Sequence, residues 1–294
     1  MIDNVVNKAP KEWGRKEVEK MGLLPKNERR TVDRIAKKTM WVYGAPYSGK
    51  TYLANTFPDV LMLNTDGNVK FVDAPYIAIK DTKDGRVDKQ AWENFKAVID
   101  ELAMNNNDFK TIVVDLLEDT YQYCRQYVFK REGYVHESDG GFGKGWALVD
   151  DEFIPTIKKL LSLDYDNIIL ISHEDRDDVT MKTGEKITKI IPNLRSKIAD
   201  KVAGMVDFTG RFVAEGDNRR IDIKQSEFQF GGGRTEFMGK KVPATYESIC
   251  GLYNINPMEV HEAPKEQVTV AEKPTETVEE APKRKLLKRE DDGE

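Results

Sequence analysis

The stretch that decides the fold is Met40-Trp41-Val42-Tyr43 followed by Gly44-Ala45-Pro46-Tyr47-Ser48-Gly49-Lys50-Thr51. The four apolar residues predict a buried strand, and the next eight match the pattern G-x-x-x-x-G-K-[ST] in full. Its two glycines let backbone N–H groups turn towards one phosphate chain, and the N-terminus of the following helix adds positive potential. Lys50 reaches the β- and γ-phosphates, and Thr51 offers a hydroxyl to Mg²⁺. We name residues 44–51 the phosphate loop, with a nucleoside triphosphate as its expected ligand.

ATP is favoured over GTP as that ligand. Guanine-specific sites use the pattern N-K-x-D, and the nearest candidate, Asn64-Thr65-Asp66-Gly67, lacks the lysine. The alternative to a nucleotide site is a chance glycine-rich turn with a surface lysine. The apolar run before the loop and the helical pattern after it argue against that alternative.

Strands and helices alternate along the rest of the chain. Apolar runs predict four more buried strands, at residues 60–63, 76–79, 112–115 and 168–172. Apolar residues at helical spacing predict helices within residues 88–104 and 153–161. This alternation indicates an α/β fold with a doubly wound, mainly parallel sheet. A hairpin over residues 179–190, with strands at 208–213 and 220–224, predicts an antiparallel edge.

Charge and composition divide the chain into three parts. The protein has 294 residues, with 46 basic and 51 acidic side chains and a net charge of -5, so it is not a polycation that coats nucleic acid. We expect a basic N-terminal segment over residues 1–37, a core over residues 38–260, and a charged tail over residues 261–294. The tail buries too little apolar surface to offset its ordering entropy and is predicted to be disordered.

Membrane, zinc and disulfide classes are not expected from the composition. No apolar run approaches the roughly 18 residues of a membrane span, and the N-terminus lacks a secretory signal, so a cytoplasmic protein is expected. The two cysteines, Cys124 and Cys250, and the three histidines lack metal-ligand spacing, which argues against a zinc site or a disulfide framework.

Asp115 ends a predicted buried strand, which is where a nucleotide site of this kind needs a second carboxylate to hold Mg²⁺ through water. An aspartate that only caps the helix beginning near Asp119 is the alternative. The next residue, Leu116, stands where many helicases and AAA-type ATPases have a catalytic glutamate. Two carboxylates therefore compete for the role of general base, Glu118 and Asp66.

The order of these motifs resembles the RecA superfamily, on residues 44–51, 63–66, 112–115 and 168–173. More narrowly, it resembles the small phage ATPases of the Sak-type single-strand annealing group, which have a RecA-like core without extra domains. The resemblance covers roughly residues 38 to 235 and implies a RecA-like ATPase that uses ATP and Mg²⁺. It places the water-activating acid on Asp66 and the γ-phosphate sensor on His173, where the family more often has Glu and Gln.

The position of His173 supports a ligand role independently. It follows an apolar strand directly, which places it at the carboxyl edge of the sheet, where open α/β sheets bind ligands. Its ring can donate a hydrogen bond to the γ-phosphate or to the attacking water. A histidine that only caps the strand is the alternative.

The resemblance also implies two loops that bind single-stranded DNA. The first is expected over residues 130–146, where glycines interleave with aromatic and basic side chains. The second is the lysine-rich hairpin, running on to Arg195 and Lys197. The predicted DNA contacts are Lys130, Arg131, Phe142, Lys144, Trp146, Lys182, Lys186 and Lys189. A surface loop packed over its aromatics, and an ordinary solvated ribbon, are the alternatives.

RecA-like ATPases complete their site with a cation from the next subunit. Lys224 and Arg234 are the candidates by position in the chain, and either could equally be a surface strand residue. The role implies a homo-oligomer, a ring or a filament, in which the basic N-terminal segment packs on a neighbour or tracks DNA; a solvated helix is the alternative. A single-stranded DNA-binding protein is compatible as a further partner.

The sequence thus predicts an ATP-binding, ATP-hydrolysing RecA-like protein that acts on single-stranded DNA in phage recombination or strand annealing. Two other functions stay open. A helicase loader or packaging-type motor ATPase would share all the ATP motifs. A P-loop phosphotransferase acting on a small molecule would need an acceptor pocket and an arginine-rich lid. Nucleotide binding without hydrolysis is also open.

Overall fold

The structure is a computed structural model that describes residue 27 and residues 37–83, 88–141, 143–180 and 184–253. The helices are α1 (Lys50–Asn55), α2 (Ala91–Ala103), α3 (Leu117–Glu132), α4 (Lys144–Ser162), α5 (Ser196–Ala203) and α6 (Tyr246–Tyr253). The strands are β1 (Lys38–Gly44), β2 (Val60–Asn64), β3 (Tyr76–Ala78), β4 (Thr82–Lys83), β5 (Asp88–Lys89), β6 (Thr111–Asp115), β7 (Asn167–Thr180), β8 (Lys186–Pro192), β9 (Phe208–Glu215), β10 (Asn218–Asp222), β11 (Gly232–Gly233) and β12 (Lys241–Pro243). Except for Asn27 and Lys37, the predicted N-terminal segment and the predicted tail lie outside the described residues.

Ten strands form one sheet, in which the main path runs β12-β10-β9-β1-β7-β6-β2-β3. The strands from β9 to β3 along this path are parallel, and β10 and β12 add an antiparallel edge. β8 pairs with β7, and β11 pairs with β9. The prediction of an α/β fold with a mainly parallel sheet and an antiparallel edge is confirmed.

Helices cover both faces of this sheet. Side chains alternate along a strand, so Trp41 of β1 joins one apolar core while Met40 and Val42 join the other. The first core packs under α2 to α5, and the second lies under α1 and α6. Cys124 is a free, buried thiol in the first core. Because both faces are covered, the central strands are apolar throughout and the fold is doubly wound.

Two strands differ from their sequence predictions. The segment that begins at Phe208 was expected at the antiparallel edge, but β9 lies inside the sheet and is parallel to β1. Its apolar residues indicate that the strand is buried. An interior strand and an edge strand packed on one face are both buried, so the pattern does not distinguish them. The segment that begins at Tyr76 was expected to be buried on both faces, but β3 is exposed because it forms the opposite edge of the sheet.

The hairpin is confirmed, and it extends a central strand. The first six residues of β7 are buried in the sheet, and the strand then continues to Thr180 while it pairs with β8. Gly184 lies in the connection with φ +86°, a conformation that favours glycine. The hairpin thus leaves the sheet at the edge where β1, β2, β6 and β7 end, which we call the carboxyl edge.

Candidate nucleotide site

The phosphate loop connects β1 to α1 at the carboxyl edge, and its two glycines are needed for different reasons. A Cβ on Gly44 would lie 2.5 Å from the carbonyl oxygen of Phe212, because β9 runs close beside β1. Gly49 has φ +105°, which other residues adopt only with strain. Within the described residues, the buried Ser48 hydroxyl has no hydrogen-bond partner, so the loop holds an unused polar atom that a phosphate oxygen could satisfy.

Lys50 is almost completely buried at the start of α1. Its Nζ donates to the carbonyl oxygens of Gly44 at 3.0 Å and Ala45 at 2.8 Å. Burial lowers its pKa, and nearby Asp115 and Glu118 oppose that shift. Its partners are neutral carbonyls, so the lysine holds a desolvated positive charge that an anionic phosphate would stabilise.

Asp115 and Thr51 meet at the end of β6. Thr51 Oγ1 donates to Asp115 Oδ2 at 2.8 Å, and Asp115 is 3% exposed. Burial raises the pKa of Asp115 to about 6, and the negative charges of Asp66 and Glu118 add to this, while the Thr51 hydrogen bond and Lys50 oppose it. A hydroxyl and a carboxylate are oxygen ligands that Mg²⁺ prefers. A cation here would also relieve the unfavourable burial of the Asp115 charge, so the residues present fit Mg²⁺.

The two candidate bases have different surroundings. Asp66 is exposed, and its Oδ1 accepts hydrogen bonds from the side chain of Asn64 and the backbone of Asn68, both at 2.8 Å. Glu118 is 8% exposed, and its Oε1 accepts the backbone N–H of His173 at 2.9 Å. Within the described part of the chain, the buried Oε2 of Glu118 has no partner. Glu118 therefore offers a free carboxylate oxygen in a fixed place.

A cavity of about 430 Å³ lies against the phosphate loop, and we call it the nucleotide cavity. It brings together eight of the residues selected from sequence: Pro46, Tyr47, Gly49, Lys50, Thr51, Asp66, Asp115 and His173. The carboxyl ends of β1, β2, β6 and β7 deliver these residues, as expected for the ligand edge of an open α/β sheet. The structure thus gathers the predicted ATP-site residues in one place.

A second cavity of about 420 Å³ lies at the same edge, and we call it the Trp146 cavity. It is lined by Glu118, Trp146, Arg176 and Arg195, among others. The guanidinium carbon of Arg195 lies 3.8 Å from the centre of the Trp146 ring, a cation–π contact. Arg195 lies at the end of the hairpin segment that was expected to bind DNA, whereas Arg176 was not selected from the sequence.

The predicted first DNA loop is shorter than expected. Lys130 and Arg131 belong to the last turn of α3, and Lys144 and Trp146 belong to the first turn of α4. Basic residues suit the C-terminus of a helix, and Gly133 ends α3 in the left-handed conformation, which accounts for the difference. Arg131 pairs with Glu132 at 2.9 Å and Glu152 at 3.2 Å, so its charge is already compensated.

The other predicted DNA contacts lie in or near the hairpin. Lys186 is exposed on β8, and the Nζ of Lys189 lies 5.9 Å from the ring centre of Phe230. Phe142 and Lys182 lie outside the described residues. The structure therefore places two of the predicted lysines on a hairpin that extends from the carboxyl edge.

Neither cation proposed to act on a neighbouring subunit lies at its own phosphate loop. Lys224 follows β10, which runs antiparallel to β9 and so leads away from the carboxyl edge. Arg234 follows β11, which pairs with the first residues of β9. A different arginine is close to the loop: the Nε of Arg219 would lie 3.4 Å from a Cβ on Gly49. The sequence analysis did not select Arg219.

Comparison with known proteins gives one family match. A family model described as an AAA domain matches residues 36–235, more than half of the chain. A search of curated proteins finds no match. Among solved structures, the ATPase DotB of Legionella pneumophila is similar at 12% identity, over 60% of this chain and 51% of that chain, with a TM-score of 0.19. The chain spans about half the length of that structure. None of the helices in the described part of the chain has the length and apolar character that crossing a membrane requires.

Proposed function

The chain belongs to the AAA domain family, and from this membership we propose that it is an Mg²⁺-dependent ATPase that acts on single-stranded DNA. The family makes the described core a P-loop ATPase domain that uses a nucleotide. The Mg²⁺ dependence, the DNA and the biological process are the proposal. Its narrowest part, phage recombination or strand annealing, rests on the motif resemblance alone.

The contact between Thr51 and Asp115 carries the ATPase part of the proposal. It puts a hydroxyl and a buried carboxylate side by side, at 2.8 Å, within the cavity that holds Lys50. When bound there, Mg²⁺ would neutralise charge on the phosphates of ATP. Lys50 binds the phosphate chain, and the backbone of the phosphate loop orients it.

Glu118 is the better supported candidate for the general base. Its Oε1 is held by His173, while its Oε2 is free and buried, so it can accept a proton from water without breaking an existing hydrogen bond. Its charge acts on both Lys50 and Asp115, which means that it lies close to the phosphate site. Asp66, by contrast, is exposed, so its carboxylate is solvated, and its Oδ1 is held by the local turn.

The Trp146 cavity and the hairpin support the DNA part. Trp146 offers an aromatic surface and the exposed Arg176 offers positive charge, in a cavity that also contains Glu118, Asp175 and Asp177. Arg195 is paired with the buried Asp150 at 3.1 Å and packs on the Trp146 ring. Aromatic faces next to cations suit the bases and phosphates of a single strand. Bound DNA would then lie directly beside the residues that act on ATP.

A ring or filament is the proposed active form. Lys224 and Arg234 lie away from their own phosphate loop, so a role in ATP hydrolysis would require them to act on a neighbouring chain. A cation that arrives from a neighbour stabilises the charge that develops on the transferred phosphoryl group.

One observation favours a second candidate function, phosphoryl transfer to a small molecule. The Trp146 cavity adjoins the ATP site and includes Glu118, which could deprotonate an acceptor hydroxyl. Arg176 could bind an anionic group of such an acceptor. The two candidates share the ATP site and differ in what occupies the Trp146 cavity.

The rate of ATP hydrolysis by the full chain, with and without single-stranded DNA, tests the proposal. We expect Mg²⁺-dependent phosphate release that DNA stimulates and that Lys50→Ala abolishes. Absence of any turnover would contradict the ATPase function. If the chain hydrolyses ATP but does not bind DNA, and DNA does not stimulate the hydrolysis, the result would contradict the DNA part and favour phosphoryl transfer.

A further inference from the structure

Arg219 lies over the phosphate loop of its own chain. β9 runs parallel to β1, with Phe212 opposite Gly44, and it continues three residues further to Glu215. The chain then turns, and β10 begins at Asn218 with Arg219 opposite Ala214. In this position, Nε and Cδ of Arg219 would lie 3.4 and 3.7 Å from a Cβ on Gly49. The turn between β9 and β10 therefore places the Arg219 side chain beside Gly49, the residue that precedes Lys50.

The guanidinium of Arg219 is available to a ligand, unlike those of its neighbours. Arg220 makes two short hydrogen bonds to Glu215, and Arg211 makes two to Glu174. Within the described residues, the one hydrogen bond of Arg219 runs from Nη1 to the carbonyl oxygen of Asp217, at 3.5 Å. That contact is at the long limit for a hydrogen bond and is made to a neutral group. The side chain is exposed, so it can move towards a ligand at little cost.

The charges around the nucleotide cavity leave a role for a second cation. Asp66 and Asp115 line the cavity together with Lys50, and Glu118 lies close by. A triphosphate adds several negative charges to this surplus of carboxylates. An arginine binds phosphate oxygens through a planar fork of donors and keeps its charge at any physiological pH.

We infer that Arg219 binds the phosphate chain of ATP within the same subunit, together with Lys50. This inference rests on the proposed ATPase function and adds a residue to it. Arg219 is placed for this in its own chain, since its Nε lies 3.4 Å from where a Cβ on Gly49 would stand. Arg219 differs in this from Lys224 and Arg234, whose proposed role is in a neighbouring subunit.

Equilibrium binding of fluorescent Mg-ATP to the full chain tests the inference, with Arg219→Ala, Arg219→Lys and Arg220→Ala as variants. Loss of a charge-assisted hydrogen bond predicts affinity roughly 10- to 100-fold weaker for Arg219→Ala, with partial recovery for Arg219→Lys. Arg220→Ala is the matched control and should bind as the unchanged chain does, because Arg220 is occupied by Glu215. Equal affinity in Arg219→Ala and Arg220→Ala would overturn the inference. An unchanged chain that binds no nucleotide would instead overturn the proposed function.

Mixing two variants, at an ATP concentration at which neither hydrolyses ATP measurably alone, tests whether Arg219 acts within its own subunit. If it acts on a neighbour, chains with Lys50→Ala and chains with Arg219→Ala would complement each other, since one of the two kinds of mixed interface joins an intact loop to an intact arginine. We expect no recovery of ATP hydrolysis on mixing, because each variant lacks part of its own site. Recovery would overturn the same-subunit assignment. Both variants should keep the melting temperature of the unchanged chain to within a few degrees, since neither residue packs in the apolar cores.

Discussion

His173 holds Glu118 by two contacts to one oxygen: its backbone N–H donates to Oε1 at 2.9 Å, and its ring Nδ1 lies 3.0 Å from the same atom. The contacts join the carboxyl end of the buried part of β7 to the first turn of α3. They leave the Oε2 atom of Glu118 free and fix the orientation of the carboxylate. His173 lines the nucleotide cavity while Glu118 lines the Trp146 cavity, so this pair stands between the two sites.

Exchange of Glu118 for glutamine should slow ATP hydrolysis on the order of 10²-fold or more while leaving ATP binding intact, because a carboxamide cannot accept the proton from water. Asp66→Asn is the matched comparison and should have a much smaller effect, since the carboxylate of Asp66 is exposed to solvent whereas that of Glu118 is buried. Steady-state phosphate release together with fluorescent ATP binding would measure both quantities. If Asp66→Asn shows the slow phenotype and Glu118→Gln does not, Asp66 is the base.

Lys50→Ala should abolish ATP binding without unfolding the protein. The lysine is buried, and burial disfavours its charged form, so its removal takes away a desolvated charge as well as two hydrogen bonds to carbonyls. We therefore expect a melting temperature close to that of the unchanged chain. Calorimetry for binding and circular dichroism for melting would test this. Undiminished Mg-ATP hydrolysis would remove the phosphate loop from the mechanism.

Asp115→Asn should raise the stability of the nucleotide-free protein while it weakens Mg-ATP binding. The folded pKa of Asp115 is about 6, above its ordinary value of 3.8, so the folded state binds the proton more tightly than the unfolded state does. Stability therefore falls as the pH rises from about 4 to about 6, and the loss is complete above that range. The asparagine variant escapes this loss and can still accept the hydrogen bond of Thr51.

Melting without nucleotide tests that prediction. At pH 7.5 the Asp115→Asn variant should be more stable than the unchanged chain, by at most about 3 kcal/mol given 1.36 kcal/mol per pKa unit. The difference should shrink at pH 5. Added Mg-ATP should stabilise the unchanged chain and have little effect on the variant. A variant that is less stable at pH 7.5 would contradict the assigned cause of the pKa shift.

Local sequence sufficed for the phosphate loop, because the loop and its flanking strand and helix follow one another along the chain. It also placed Asp115 and His173 correctly at the carboxyl edge, since each directly follows an apolar run. Pairing between distant segments could not be predicted. β9 pairs with β1 across roughly 170 residues, and nothing in its own residues distinguishes a central parallel partner from an edge.

The same limit applies to the site. The contact of Glu118 with His173 joins residues 55 apart in sequence, and the position of Arg219 depends on where β9 lies. An arginine near the start of a short strand looks like any surface arginine until its neighbours are known. Arg131 shows the same limit in the other direction. Its charge was expected to be available to DNA, but it is paired with Glu152, which lies on a different helix.

Trp146 should contribute to DNA affinity through its aromatic face. Replacement by leucine keeps an apolar side chain against the core but removes the ring, so we expect a loss of roughly 1 to 3 kcal/mol of binding free energy for a single-stranded oligonucleotide. Trp146→Phe is the matched control and should retain most of the affinity. Fluorescence anisotropy at low salt would measure both. If Trp146→Leu binds the oligonucleotide as tightly as the unchanged chain does, the ring does not contact DNA and serves only to pack within the protein.

Lys186 should contribute charge to DNA binding from the hairpin. Loss of one contact between a lysine and a phosphate reduces the steepness of log affinity against log salt concentration by roughly 0.7 for a single strand. Lys186→Ala should show this change in an anisotropy titration over a range of salt concentrations. Lys158→Ala removes the same charge from the exposed surface of α4 and is the matched control, with no expected change in slope. α4 leads into the start of β7, so Lys158 lies towards the opposite edge of the sheet from the hairpin.

Identical slopes for the two variants would mean that the hairpin does not contact DNA. Absence of binding at low salt, with and without Mg-ATP, would exclude DNA as the partner.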